Sequence, residues 1–417
     1  MKLSGKTIKN SYLTFAFLVF SLVTFCMFFL LLVRTRGSWQ ALVFFRSGEE
    51  LFSDFFNVCG YVFERNPYES LVSASEKAYF PFAYVLMYPF SKLTGYVNIG
   101  AFETGYTPLG LISAMFFMLF ISVMMFVMIY TFKKGVTAEK AAVCFSLLIS
   151  GIFMFTFERG NSVVLSFVFV LFYLMNYNSK KAVLRELSFV ALAMAAALKG
   201  YPALLGILLI YEKRWFEAIR TALYGLIFIF LPFLFFKGGF NNIAFFFRNL
   251  QISTEVYRQQ SILYKFGLTA LMQKLTGKPV DVLAPLCERV AMILAATSFA
   301  VSPFLKKNWK KMGLLISVLI MLPVNSAFYS GIYLFIVVVM FFNEKEHSIF
   351  DLAYFIVFLL FLMPLQIPGL ATYFPNMIMM IIWMMFLTEG TISACRRLYS
   401  FAKNRKCVPK AVAENAG

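Results

Sequence analysis

Charge and histidine are what this chain has least of. Only 14% of its 417 residues are Asp, Glu, Lys or Arg, whereas a soluble globular domain carries about a quarter. The single histidine, His347, sits in a charged loop. Histidine-based acid–base chemistry and His-rich metal sites are thereby excluded. The six cysteines (Cys26, Cys59, Cys144, Cys287, Cys395 and Cys407) form no CxxC pair, and most fall in or beside apolar runs. No disulfide framework or zinc site follows from them. The polar loops also lack a tight acidic cluster of DxD type, so no metal and no other cofactor is implied. What is abundant is hydrocarbon: 61% of residues are hydrophobic and 19% aromatic, with a mean hydropathy of +0.78. Apolar runs of roughly 16–25 residues recur, the length needed to cross a bilayer. They are continuous rather than alternating, which excludes a β-barrel. The fold class is therefore an all-α, polytopic transmembrane helical bundle. The net charge of +18 is gathered in short blocks between apolar runs, as membrane topology requires, and does not indicate nucleic acid.

The blocks set the orientation. Lys2, Lys6 and Lys9 precede a first apolar run at 11–33. That run is too long for a signal-peptide core and lacks a small-residue cleavage site, so it is expected to remain as a helix. Later blocks are Lys133/Lys134/Lys140, Lys180/Lys181/Arg185, Lys213/Arg214/Arg220 and Lys306/Lys307/Lys310/Lys311. All should be cytoplasmic. Twelve spans are predicted near 11–33, 107–132, 141–156, 162–177, 186–198, 202–211, 218–236, 283–305, 313–325, 329–342, 348–366 and 377–392. An even number places both termini in the cytoplasm and the protein in the plasma or inner membrane. The membrane unit takes up residues 1–395. Residues 396–417 form a basic cytoplasmic tail.

Several segments do not suit a straight crossing. The run 80–93 is short and holds Pro81 and Pro89, so it is expected to be re-entrant; a thirteenth span is the alternative. Runs 186–198 and 202–211 meet at Lys199-Gly200-Tyr201-Pro202. Helices of 10–13 residues reach about 15–20 Å at 1.5 Å per residue, against a core of about 30 Å. Their junction should lie in a cavity below the surface, where a charged residue is costly and points to function. Outside the bundle, the longest loop, 237–281, is basic on the non-cytoplasmic side. Arg248, Arg258 and Lys265 there invite an anionic lipid headgroup. No internal repeat is evident, which disfavours a transporter.

The first polar stretch after the first span, 53–89, gathers Asp54, Glu64, Glu69 and Glu76 among aromatic residues and prolines. Four features carry a resemblance. They are Ser53-Asp54-Phe55-Phe56 in the first outer loop, and Tyr79-Phe80-Pro81-Phe82 with Tyr88-Pro89. A third is Arg159-Gly160-Asn161 followed by an Ala-rich helix ending Lys199-Gly200-Tyr201-Pro202. The last is Gln260-Ser261 with Pro323, Ser326 and Tyr329. In this order the layout resembles glycosyltransferase family 87 of the GT-C superfamily, the DUF2029-like group that includes polyprenol-phosphate-mannose-dependent mannosyltransferases. Two departures concern donor and acceptor identity: a single proline follows Tyr79, and Arg-Gly-Asn stands where Gly-Gln is usual.

The resemblance implies a bundle with outer loops and short helices around a cavity. It implies transfer of a hexose or pentose from a polyprenyl-phosphate donor to a glycolipid or glycan acceptor, among membrane lipids. Asp54 is then the expected base, with Glu64, Glu69 and Glu76 as alternates. Lys199 and Arg159, with Arg248, Arg258 and Lys265, would bind the donor phosphate. Asn161, Tyr79, Tyr88, Tyr201 and Tyr329 would contact sugar. Blander roles compete: a helix cap for Asp54, a snorkelling lysine for Lys199, an interfacial aromatic belt for the tyrosines. A flippase for lipid-linked glycans or a polysaccharide polymerase is the alternative function.

Overall fold

The computed structural model describes residues 7–37, 51–71, 73–94, 107–259, 265–365 and 373–406. Gln260-Ser261 and the tail residues 407–417 lie outside them. Each apolar run predicted above contains helix, although 322–325 and 363–365 are not helical. In order the helices are α1 Asn10–Arg34, α2 Ser53–Val62, α3 Pro81–Leu93, α4 Pro108–Phe132, α5 Thr137–Leu148 and α6 Gly151–Glu158. Next come α7 Val163–Asn176, α8 Ala182–Lys199, α9 Ile207–Tyr211, α10 Trp215–Phe230, α11 Asn242–Gln259 and α12 Leu268–Thr276. The last are α13 Val280–Val301, α14 Asn308–Met321, α15 Leu334–Phe341, α16 Asp351–Leu362 and α17 Phe374–Lys406. Two three-residue strands, β1 Thr7–Lys9 and β2 Glu346–Ser348, pair antiparallel with Ile8 opposite His347.

Among the described residues five helical stretches, rather than twelve, are long and apolar enough to cross a membrane: Asn10–Arg34, Pro108–Phe132, Trp215–Phe235, Val280–Phe304 and Phe374–Phe401. Helices α5 and α6 make a sixth if taken as one span bent by 55°. The chain is a multi-pass membrane protein. The long helices turn apolar side chains outward. In α10 only Thr221 is buried, while Phe216, Ile219, Leu223 and Leu226 are exposed. Such a surface is stable against lipid, not water.

The short helices form the interior. Residues 312–321 of α14 are all buried, as is nearly all of α15. Helix α8 packs on α7 and α10, and its Ala191, Ala193, Ala195, Ala196 and Ala197 are all buried. Side chains this small let two backbones approach closely, and Ser166 Oγ reaches Ala195 O at 3.0 Å. Helix α3 has 13 residues, about 20 Å of helix, and packs on α2 and α8. It is well short of a bilayer's thickness. Pro81 opens it, where a missing N–H costs nothing. At the other end of the chain, α17 continues through the basic segment after Arg396 as far as Lys406.

Candidate active site

The site is assembled where α2 meets the turn between α6 and α7. Helix α2 does not begin on a capping side chain; its N-cap, Phe52, has φ +55°. The chain there is held from outside. Phe52 N donates to Glu158 O at 2.7 Å and Asp54 N to Arg159 O at 3.0 Å. Two backbone bonds thus fix the start of α2 on the 158–161 turn. Gly160 makes this docking possible. Its φ is +66°, and a Cβ there would stand 2.9 Å from Phe55 Cβ and 3.1 Å from Phe52 Cα. Only glycine meets both demands.

The side chains follow from that backbone. Arg159 donates from a terminal nitrogen to Asp54 Oδ1 at 2.7 Å. Asn161 Nδ2 donates to Asp54 Oδ2 at 2.6 Å. Asn161 is buried, and its Oδ1 accepts from Val163 N at 2.9 Å, so it caps α7 and holds the carboxylate together. The cap role considered for Asp54 is excluded, because its oxygens face side-chain donors on another element. Burial pushes the Asp54 pKa up, but the Arg159 charge and the two hydrogen bonds overcome this and leave it lowered. Asp54 is therefore a carboxylate at neutral pH.

Lys199 closes α8 within electrostatic reach of Asp54. Gly200, at φ +70°, turns the chain beside the Phe80 ring. The Lys199 ammonium lies 5.2 Å from the Tyr79 ring centre and 5.4 Å from that of Tyr329. The rings hold the cation by its charge without using its donors. Among the described residues no acceptor lies within hydrogen-bonding distance of Lys199 Nζ. Tyr79 is itself set in place: Tyr68, fully buried, donates to Tyr79 O at 2.8 Å.

The other expected site residues divide. Arg248 donates to Tyr68 O, Glu69 O and Asn249 Oδ1, so it anchors α11 to the 68–69 turn. Arg258 is bound by Glu288 at 2.9 Å and Glu255 at 2.8 Å. Its fork is occupied, and Glu288 pairs with it rather than with neighbouring Arg289. Lys265 Nζ donates to Tyr257 O at 2.5 Å. Tyr201 packs edge-on to Tyr333 at 5.6 Å, partly buried against the core. Tyr88 lies edge-on to Phe235 at 4.8 Å and beside Lys92. Among the alternate acids, Glu64 pairs with Lys237, Glu69 accepts from Asn66, and Glu76 accepts from Tyr61. Sequence reasoning missed Tyr61 and Tyr257. Among the described residues no three His, Cys, Asp or Glu side chains gather to hold a metal ion.

Fold and site together define a class: a helical, multi-pass membrane protein with one acid, two cations and aromatic rings gathered where short helices end. Within that class the chain belongs to glycosyltransferase family 87, whose family model matches residues 78–336, more than half of the sequence. It is a glycosyltransferase. The match takes in Arg159, Asn161 and Lys199, and begins downstream of Asp54. Comparison with curated proteins and with solved structures finds no match.

Proposed function

We propose that the protein transfers a hexose or pentose from a polyprenyl-phosphate-linked donor to a glycolipid or polysaccharide acceptor, on the outer face of the cell membrane. One observation carries this reading. The Lys199 ammonium is held by two tyrosine faces, close to a carboxylate, with its hydrogen-bond donors unused. A phosphate oxygen is the natural partner for such a group.

In this scheme the acceptor hydroxyl attacks the anomeric carbon. The bond from that carbon to the phosphate oxygen breaks, and its electron pair leaves with the lipid phosphate. The acceptor proton passes to Asp54. Negative charge thus moves from Asp54 to the phosphate, and Lys199 stands where it arrives. A carboxylate with a lowered pKa is a weak base toward a resting alcohol. It suffices when the hydroxyl turns acidic as its oxygen bonds to carbon, and such positioned proton transfer is worth about 10²–10⁴-fold. Arg159 and Asn161 orient the carboxylate.

The experiment is incubation of purified protein in lipid nanodiscs with a panel of polyprenyl-phosphate sugars and membrane glycolipid extract, followed by mass spectrometry. A sugar-extended lipid formed from one donor, and lost in Asp54→Asn, is the expected result. Absence of product with every polyprenyl-phosphate donor, alongside turnover of a nucleotide sugar, overturns it.

A further inference from the structure

Helix α13 carries one charge on a face otherwise made of hydrocarbon. It lies within Val280–Phe304, a stretch long and apolar enough to cross a membrane. Val282, Leu286, Met292 and Ile293 are well exposed there, and Arg289 is exposed among them. Steps of three and four put all five on one side of the helix. The other side, with Leu283, Ala284, Cys287, Ala291 and Ala295, is buried in the protein. Arg289 therefore points the same way as its apolar neighbours, toward lipid.

No acid of the protein answers it. Glu288, next in sequence, lies about 100° round the helix and is held by Arg258 at 2.9 and 3.4 Å, one donor to each oxygen. Helix α11, which packs on α13, brings Arg258 there; its own buried stripe, Asn242, Phe246, Asn249 and Ser253, runs on four residues later to Tyr257. Asp281 is eight residues back from Arg289, about 12 Å by helix rise. Among the described residues Arg289 has no hydrogen bond and no ion pair.

An unpaired charge facing hydrocarbon is costly, so its partner comes from the bilayer. Arg289 is nine residues in from the start of α13, about 13 Å by rise, and helical side chains lean back toward the N-terminus. The guanidinium thus snorkels toward the headgroups, and its planar fork matches two phosphate oxygens at once. We infer that Arg289 binds the phosphate of an anionic phospholipid, whose acyl chains lie along Met292 and Ile293. The other exposed charges at this end of α13 are Lys274, Lys278 and Asp281. Two lysines against one acid favour a headgroup of net negative charge over a zwitterionic one, by an attraction that salt weakens. This lipid is not a substrate. Arg289 faces the bilayer, whereas Lys199 is enclosed between Tyr79 and Tyr329.

The test is native mass spectrometry of protein released from phosphatidylcholine nanodiscs that contain phosphatidylglycerol. Wild type should retain one phosphatidylglycerol in preference to phosphatidylcholine. Arg289→Leu should lower that retention about fivefold, the order expected for one basic group at a charged surface. Phosphatidylcholine retention, and thermal unfolding in pure phosphatidylcholine, should not fall. Arg289→Lys should keep part of the preference, since the charge stays and the fork goes. Lys199→Ala should retain phosphatidylglycerol as wild type does, which keeps this site apart from the proposed donor site. Retention unchanged in Arg289→Leu, no preference over phosphatidylcholine, or equal loss in Lys199→Ala overturns the inference. So does an Arg289-dependent preference for a polyprenyl phosphate over phosphatidylglycerol, which would make this a donor-lipid site. A wild-type dimer that disappears in Arg289→Leu, with lipid retention unchanged, would put a second copy of the chain on this face and overturn it too.

Discussion

Two charge clusters lie toward opposite ends of α14, and they differ in completeness. Near its start, Asp351 is wholly buried. Its Oδ2 accepts from Lys307 Nζ at 2.6 Å and Ser348 N at 2.9 Å, and its Oδ1 is 3.0 Å from Lys310 Nζ. Lys310 also binds Glu389 through both oxygens, and Tyr354 donates to Glu389 at 2.9 Å. The indole of Trp309 and the ring of Tyr354 flank the Lys310 ammonium. Each of these charges meets an opposite one. Beyond the far end of α14, Tyr329 borders the other cluster. There Asp54 is tied to Arg159 and Asn161, yet Lys199 keeps its donors and Tyr257 its hydroxyl. A network whose charges are all paired fixes structure; the one left open around Lys199 is where the proposed donor phosphate would bind.

The sharpest way to break this comparison is to neutralise one acid in each cluster. Asp54→Asn should lower transfer about 10²–10⁴-fold and lower the unfolding temperature less than the next variant, because Arg159 keeps some access to solvent. Asp351→Asn leaves Lys307 and Lys310 undercompensated, at a cost of about 3–5 kcal/mol. It should lower the unfolding temperature and yield, while turnover per folded molecule stays within about twofold. Nanodisc activity and thermal unfolding, measured on the same samples, check both. The opposite pattern would reverse the two roles.

A second effect, next in size, concerns the cation. Lys199→Ala should reduce kcat/KM for the donor about 100-fold, the order found when a stabilising donor is removed. Lys199→Arg should recover part of this, since it keeps the charge but not the compact ammonium. Gly160→Ala comes third. The left-handed φ and the 2.9 Å approach to Phe55 force the 158–161 turn away from α2, costing about 1 kcal/mol or more. A roughly tenfold loss of turnover with lowered thermal stability is expected. Unchanged activity would show that the turn does not aim Asp54.

Much of this was legible in the chain, for identifiable reasons. Runs such as 107–132 and 283–305 are long and apolar, and hydrocarbon burial alone makes them helices. The break at Gly200 was visible because two short runs meet there with a lysine between them. Asp54 and Asn161 stood out as polar groups in polar turns. What failed to show is what depends on docking between distant segments. Arg258 finds Glu288 thirty residues on, and Arg248 and Asn249 reach back to the Tyr68 carbonyl. Neither pairing leaves a local pattern. Tyr257 carries no signal except its place on the α11 stripe, and that face is defined only once α11 is docked. The β1–β2 pair escaped for another reason: three residues hold no alternation to count, and the pairing joins segments more than 300 residues apart.

The smallest expected effect is also the most discriminating among the acids of the segment 53–89. Glu64 lies just past α2 and is exposed, as is its partner Lys237 3.6 Å away. A pair this open to solvent contributes about 0–1 kcal/mol, and its carboxylate has no element holding it toward Lys199. Glu64→Gln should leave both turnover and unfolding temperature at wild-type values. Asp54 differs from it in physical setting rather than in chemistry. Its backbone N–H, both its oxygens and the start of its helix are fixed by a single turn, so the carboxylate holds one position while the reaction changes around it. A tenfold loss in Glu64→Gln, with Asp54→Asn active, would mean that a mobile exposed acid serves as the base. The rigid turn at Gly160 would then be scaffold alone.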